Sequence, residues 1–75
     1  MNAKSTAIVK AANYYPGPVC NVLYMGSIAR CRLYYLLGQG HSYPLTPLET
    51  VLATATDAQI DAAYDYVQPY LRAMR

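Results

Sequence analysis

Three soft metal or nucleophile candidates stand in the 75-residue chain: Cys20, Cys31 and His41. No two of them have the Cys-x₂-Cys spacing of a structural zinc site, and a closed tetrahedral site needs a fourth donor. His41 is the one histidine. It lies beside Gly and Pro, and no local partner completes a Ser-His-Asp or Cys-His arrangement. Gly38-Gln39-Gly40 is not a phosphate loop, because no strand leads into it and no Gly-Lys-Ser/Thr follows. It reads as the end of a helix. The chain is therefore expected to be non-enzymatic, with no catalytic residues, no metal site and no cofactor.

Charge carries more information. All four acids, Glu49, Asp57, Asp61 and Asp65, fall between residues 49 and 65. Lys4, Lys10, Arg30 and Arg32 precede them, and Arg72 and Arg75 follow. The formal net charge of +2 thus hides a segregation that predicts one positive and one negative face. Asp57, Asp61 and Asp65 recur at i, i+4, i+8, where like charges on a helix repel, and no Lys or Arg lies among them. A row of this kind suits contact with a basic partner, and the expected protein-binding set is Asp57, Asp61, Asp65, Glu49 and Tyr64. The plain alternative is a solvated helix face. Arg30 and Arg32, two apart, share one face if they lie on a strand. With Lys4 and Lys10 they form the expected nucleic-acid set, able to meet phosphates. A solvated strand edge kept from aggregating by charge is the alternative there.

Composition bounds the elements that must hold these groups. Hydrophobic residues make up 55% of the chain and charged ones 13%, which excludes a disordered tail. A chain of this length forms one small domain that buries only roughly 60% of its unfolded surface. Some apolar area should stay exposed, and a homodimer is the simplest use for it. Nine Tyr with no Phe or Trp suits interfaces and half-buried positions, or a small core that uses Tyr in place of Phe. Arg, Pro or Gly interrupts every apolar run well short of roughly 18 residues, so no membrane contact is expected. Residues 1–10 lead into no apolar stretch with a cleavage site, so no signal peptide is expected and the cytoplasm is the default location.

The expected fold class is α+β, mainly helical: a short N-terminal β-hairpin followed by a three-helix, helix-turn-helix-like unit. Residues 1–18 form an N-terminal arm or helix. Within them Ala7, Ile8, Ala11, Ala12 and Tyr15 have helical spacing, with Ser5 or Thr6 as N-cap, although a strand is also compatible. Pro16-Gly17-Pro18 breaks any regular element. Residues 19–32 read as the hairpin, turning at Met25-Gly26 with Gly supplying positive φ. That register sets Cys20 opposite Cys31, where a disulfide is conceivable and an intracellular setting favours two thiols. The residue types also allow a helix from about Ile28.

Residues 33–75 form the helical unit. Leu33, Leu36 and Leu37 make a short helix ending at Gly38 or Gly40. Thr46-Pro47-Leu48-Glu49 has the form of a capping box that opens a second helix, with Leu48, Val51 and Leu52 buried. Thr56-Asp57-Ala58-Gln59 repeats the device before Ile60, Ala63, Tyr64 and Val67, and Pro69 ends or kinks that helix near residues 67–68.

From residue 26 onward the order of these elements resembles a family of small VapB-like antitoxins with a homeodomain-like helix-turn-helix. The matching stretches are Gly26-Ser27, Leu36 to His41, Thr46 to Leu52 and Thr56 to Tyr64, about two thirds of the chain. The resemblance implies a dimeric adaptor or repressor whose partner is a toxin and whose helix-turn-helix contacts DNA. Two departures stand against a simple transfer. Ser42-Tyr43-Pro44-Leu45 is extra, and the helix in the recognition position carries three Asp where groove reading uses Arg, Lys, Asn or Gln. From the residues alone, the competing expectation is a phage-encoded, anti-CRISPR-like inhibitor. Its Asp row would stand in for phosphates on a host nucleic-acid enzyme.

Overall fold

In the computed structural model, residues 2–14, 24–39 and 46–73 are described. They form four helices: α1 (Ala3–Asn13), α2 (Ser27–Leu36), α3 (Leu48–Thr54) and α4 (Asp57–Ala73). There is no strand among the described residues. The expected α+β class is therefore corrected to a helical one over the described residues, while the three-helix order of the C-terminal unit stands.

The correction falls on residues 19–32. Ser27 to Arg32 belong to α2, Tyr24 is described and is not in a strand, and residues 19–23 of the expected first strand, Cys20 among them, lie outside the described residues. The physical reason is periodicity. Leu33, Tyr34 and Leu37, in the stretch already expected to be helical, are buried in the core at helical spacing, and residues 27–32 extend that same helix towards its N-terminus. Ala29, Arg30, Arg32, Leu33 and Leu36 are also good helix formers. Gly26 is no hairpin turn: it sits at the N-cap of α2 with φ −82°, an ordinary extended value. Cys31 is a half-buried free thiol on a helix, so the cross-strand pairing with Cys20 has no basis.

Both ends of α2 obey local rules. At its C-terminus Gly38 takes φ +92°, a left-handed conformation that favours glycine. The Gly38 N–H donates to the Tyr35 carbonyl at 3.0 Å and the Gln39 N–H to the Tyr34 carbonyl at 2.9 Å, which is a Schellman cap. The Tyr34 hydroxyl donates to the Thr46 carbonyl at 2.9 Å, tying the start of the α3 segment to α2.

Helix starts differ from expectation in two places. α1 begins earlier than Ser5 or Thr6, because Asn2 is the N-cap and its Oδ1 accepts from the Ser5 N–H at 2.8 Å. Asn caps as well as Ser, and starting there leaves Ser5 on the buried face with Ile8, Ala11 and Ala12. At α3 the Thr46 capping box does not form. Pro47 occupies the N-cap without a side-chain bond, and Thr46 turns its carbonyl to Tyr34.

α4 is the element on which the others assemble, with α1 and α2 both packed against it and α1 reaching α3. Its buried residues Ile60, Ala63 and Val67 join Ile8, Ala11 and Ala12 from α1 in the core. Leu33, Tyr34 and Leu37 enter the same core from α2, and Leu48, Val51 and Leu52 from α3. The small buried residues Ala11, Ala12 and Ala63 let backbones approach closely. Pro69 does not end α4, which runs on to Ala73. Proline removes one amide donor, but on the exposed side of a helix already anchored by Val67 the freed carbonyl can meet water.

Candidate functional site

The start of α4 is fixed by the capping box read from its residues. The Thr56 N–H donates to Gln59 Oε1 at 3.0 Å, and the Gln59 N–H donates to Thr56 Oγ1 at 3.2 Å. With the first turn set and Ile60, Ala63 and Val67 turned inward, Asp57, Asp61 and Asp65 must point to solvent, and all three are exposed. Four residues per step at ~1.5 Å each spaces them roughly 6 Å apart along the axis. Asp57 also gains from the amide dipoles of the first turn.

The row has a counterion that its own helix does not supply. Lys4 Nζ, from α1, lies 2.6 Å from Asp61 Oδ1 and 5.6 Å from the centre of the Tyr64 ring. The Lys4 ammonium is held above its ordinary value chiefly by the hydrogen bond to Asp61 and by that carboxylate's charge, with smaller help from Asp65 and Tyr64. Both partners are about half exposed, so the pair is a screened surface contact. It is the one ion pair among the described residues.

Around Lys4 and Asp61 the surface is concave. A depression of about 430 Å³ is lined by Asn2, Ala3, Lys4, Asp57, Ile60 and Asp61. A second, of about 300 Å³, shares Asn2 and Ile60 with it and brings in Ser5, Glu49, Leu52 and Ala53. Glu49 is exposed in the first turn of α3. The helix starts of α1, α3 and α4 therefore converge at one end of the molecule and carry Glu49, Asp57 and Asp61 there together. Asp65 continues the row by one turn, and half-buried Tyr64 lies beside Lys4. All five residues expected to bind a protein partner are brought to one region.

The expected nucleic-acid set is not brought together. Lys4 sits within the acidic row. Arg30, on the helix that replaces the expected strand, is half-buried and its Nη1 donates to the Ala12 carbonyl, closing the C-terminal turn of α1. Lys10 is exposed in that same last turn. Arg32 projects elsewhere, near Tyr66 on α4, since residues two apart on a helix do not share a face. Arg72, which a helix ended by Pro69 would exclude, lies in the last turn of α4 and donates from Nε to the Gln68 carbonyl at 3.4 Å.

Sequence reasoning missed Lys4 as a member of the acidic site. It lies 57 positions from Asp61, and no local pattern links them. His41 and Gly40 lie outside the described residues. Among the described residues no three His, Cys, Asp or Glu side chains gather as a metal site, and no helix is long and apolar enough to cross a membrane. Comparison with protein-family models, curated proteins and solved structures yields no match to this chain.

Proposed function

We propose that this chain is a non-enzymatic binding protein that engages a basic protein surface through the solvent face of α4. The observation that carries the reading is the exposed row Asp57, Asp61, Asp65, extended by Glu49 and met by one counterion, Lys4. A negative surface of this extent steers a positive partner and penalises a negative one. It also repels nucleic acid, whose phosphates would meet three aspartates on the helix in the recognition position. The partner class that fits is a nucleic-acid-binding protein, either a toxin or a host enzyme, whose cationic groove accepts carboxylates where phosphates would lie.

The antitoxin-like adaptor and the stand-alone, anti-CRISPR-like inhibitor both use this face. They differ in whether the chain also touches DNA. The placement of Arg30 on the α1 carboxyl end and of Lys4 in the acidic row favours the inhibitor, because it removes two of the four cations that the DNA contact requires. The proposed setting is the cytoplasm.

The test is affinity capture with the tagged chain, comparing the native protein with Asp57→Lys/Asp61→Lys after circular dichroism confirms the fold. A basic partner retained by the native chain, and lost from the variant, supports the proposal. Equal retention by both removes it. Fluorescence anisotropy with random and operator-like duplexes at low salt decides the DNA arm, and the inhibitor reading expects no binding.

A further inference from the structure

Ser5 is the one polar residue buried among the described residues, at 3% exposed. Its backbone N–H is taken by Asn2, but its hydroxyl has no hydrogen-bond partner among the described residues. A buried hydroxyl without a partner is uncommon and calls for an explanation. No buried side-chain nitrogen or oxygen among the described residues is sealed away unpaired, so the small part of Ser5 that reaches the surface must include this hydroxyl. The surface that Ser5 lines is the depression of about 300 Å³ between α1, α3 and α4. Leu52, Ala53 and Ile60 supply its apolar wall, and Glu49 its carboxylate. Glu49 has neither an ion pair nor a hydrogen bond among the described residues. The adjoining depression adds Asp57 and Asp61.

We propose that this depression receives one arginine side chain of the basic partner. The inference rests on the proposed function and deepens it, by naming the group that anchors the partner and the place where it enters. The volume is at the lower end for ligand sites, which suits a single long side chain better than a helix or a cofactor. Charge selects a cation, because the two joined depressions hold Glu49, Asp57 and Asp61 against Lys4 alone.

Shape and hydrogen bonding select arginine among cations. Its aliphatic stem lies along Leu52, Ala53 and Ile60, as such stems do on apolar surface. The two acceptors come from different helices, Ser5 Oγ from α1 and the Glu49 carboxylate from α3. A guanidinium carries five donors in a planar fork and can serve both, and it sheds water more easily than an ammonium. Arginines seated in pockets are also common anchors of protein interfaces. The Ser5 hydroxyl then has a use that the free chain does not supply.

Titration of the full-length chain with acetyl-Gly-Arg-Gly-amide at low salt, followed by ¹⁵N–¹H NMR, tests this. The expected result is saturable binding with amide shifts centred on Ser5, Leu52, Ala53 and Ile60. The lysine tripeptide should bind more weakly, and the citrulline one, which lacks the charge, should not bind. Glu49→Gln should weaken binding at least roughly tenfold and Ser5→Ala roughly threefold. Ala53→Leu, at an exposed helical position, should fill the depression and abolish binding, with circular dichroism showing all three variants folded. A native chain that does not bind, shifts confined to other residues, a lysine or citrulline tripeptide that binds as tightly, or variants that bind as the native chain does would each overturn the proposal. Asp57→Lys/Asp61→Lys keeps the two readings apart. Weaker binding by that variant, with Glu49→Gln, Ser5→Ala and Ala53→Leu unchanged, leaves the acidic face standing and removes the arginine site.

Discussion

The junction between α2 and α4 offers the sharpest energetic test, because two local devices meet there. Gly38 holds φ +92°, and a Cβ added to it would approach the Gln59 Nε2 to 2.8 Å. Gln59 is also the residue whose Oε1 accepts from the Thr56 N–H to cap α4. Gly38→Ala therefore has two consequences. A left-handed conformation with a Cβ costs about 1–2 kcal/mol. The methyl also displaces the Gln59 amide, which is flexible enough to swing away but loses its capping bond, a further loss of about 1 kcal/mol. The expected total is ~2–3 kcal/mol, and for a domain of this size each kcal/mol lowers Tm by roughly 4–8 °C. In a Gln59→Ala background the clash and the cap are both already gone, so Gly38→Ala should cost only the backbone part. A double-mutant cycle by urea denaturation, followed by circular dichroism, should give a coupling of about 1 kcal/mol. Strict additivity of the two substitutions would refute the linkage, and a Gly38→Ala protein as stable as the native one would refute the strain argument as well.

Arg30→Met should destabilise the chain by about 1.5–3 kcal/mol in thermal melts, since the Ala12 carbonyl loses a charged donor, and should leave partner binding unchanged. Tyr34→Phe removes a bond from a buried hydroxyl to the Thr46 carbonyl and should cost about 0.5–1.5 kcal/mol by chemical denaturation. Lys4→Met should barely move Tm, because the ion pair is exposed, yet should tighten binding to a basic partner in titration calorimetry by uncovering Asp61. The Lys4 and Tyr66 groups are both raised, the first mainly by its hydrogen bond to Asp61 and the second mainly by burial. Raised groups contribute stability that is complete below their unfolded values, 10.5 and 10.0, and is lost as pH climbs through the folded ones. Lys4 is exposed and adds little, so the melting temperature should show no loss from these groups through neutral pH and a fall above about pH 10 that comes mainly from Tyr66.

Much of the helical unit was legible because its signals are local. The Thr56–Gln59 capping box, the Gly38 helix end and the inward stripe Ile60, Ala63, Val67 all formed as their spacing predicts. The exposed Asp row followed from that stripe, since a helix with one buried face must show the other to water. The hairpin did not follow, because Met25-Gly26 and the short alternation around it fit a turn as well as a helix start. The choice was made by Leu33, Tyr34 and Leu37 packing into the core shared with α4, which is tertiary context. Thr46-Pro47-Leu48-Glu49 had the letters of a capping box, but Thr46 found a stronger use in receiving the Tyr34 hydroxyl. Pro69 misled for a similar reason: α4 is anchored before and after it, and one lost amide bond on an exposed face does not stop a helix. Lys4 beside Asp61 and Arg30 on Ala12 are pairings across 57 and 18 positions, and only folding reveals them. Those two contacts turned an apparent basic surface into helix closure and a counterion.

The central claim is that the α4 carboxylates bind a basic protein surface. The most direct measurement is the dissociation constant for the captured partner, determined for the native chain and for Asp57→Lys/Asp61→Lys across a salt series. The account predicts affinity that falls with salt for the native chain and is at least roughly tenfold weaker, a difference of about 1.4 kcal/mol, for the variant. Equal affinity in both proteins at every salt concentration would contradict it.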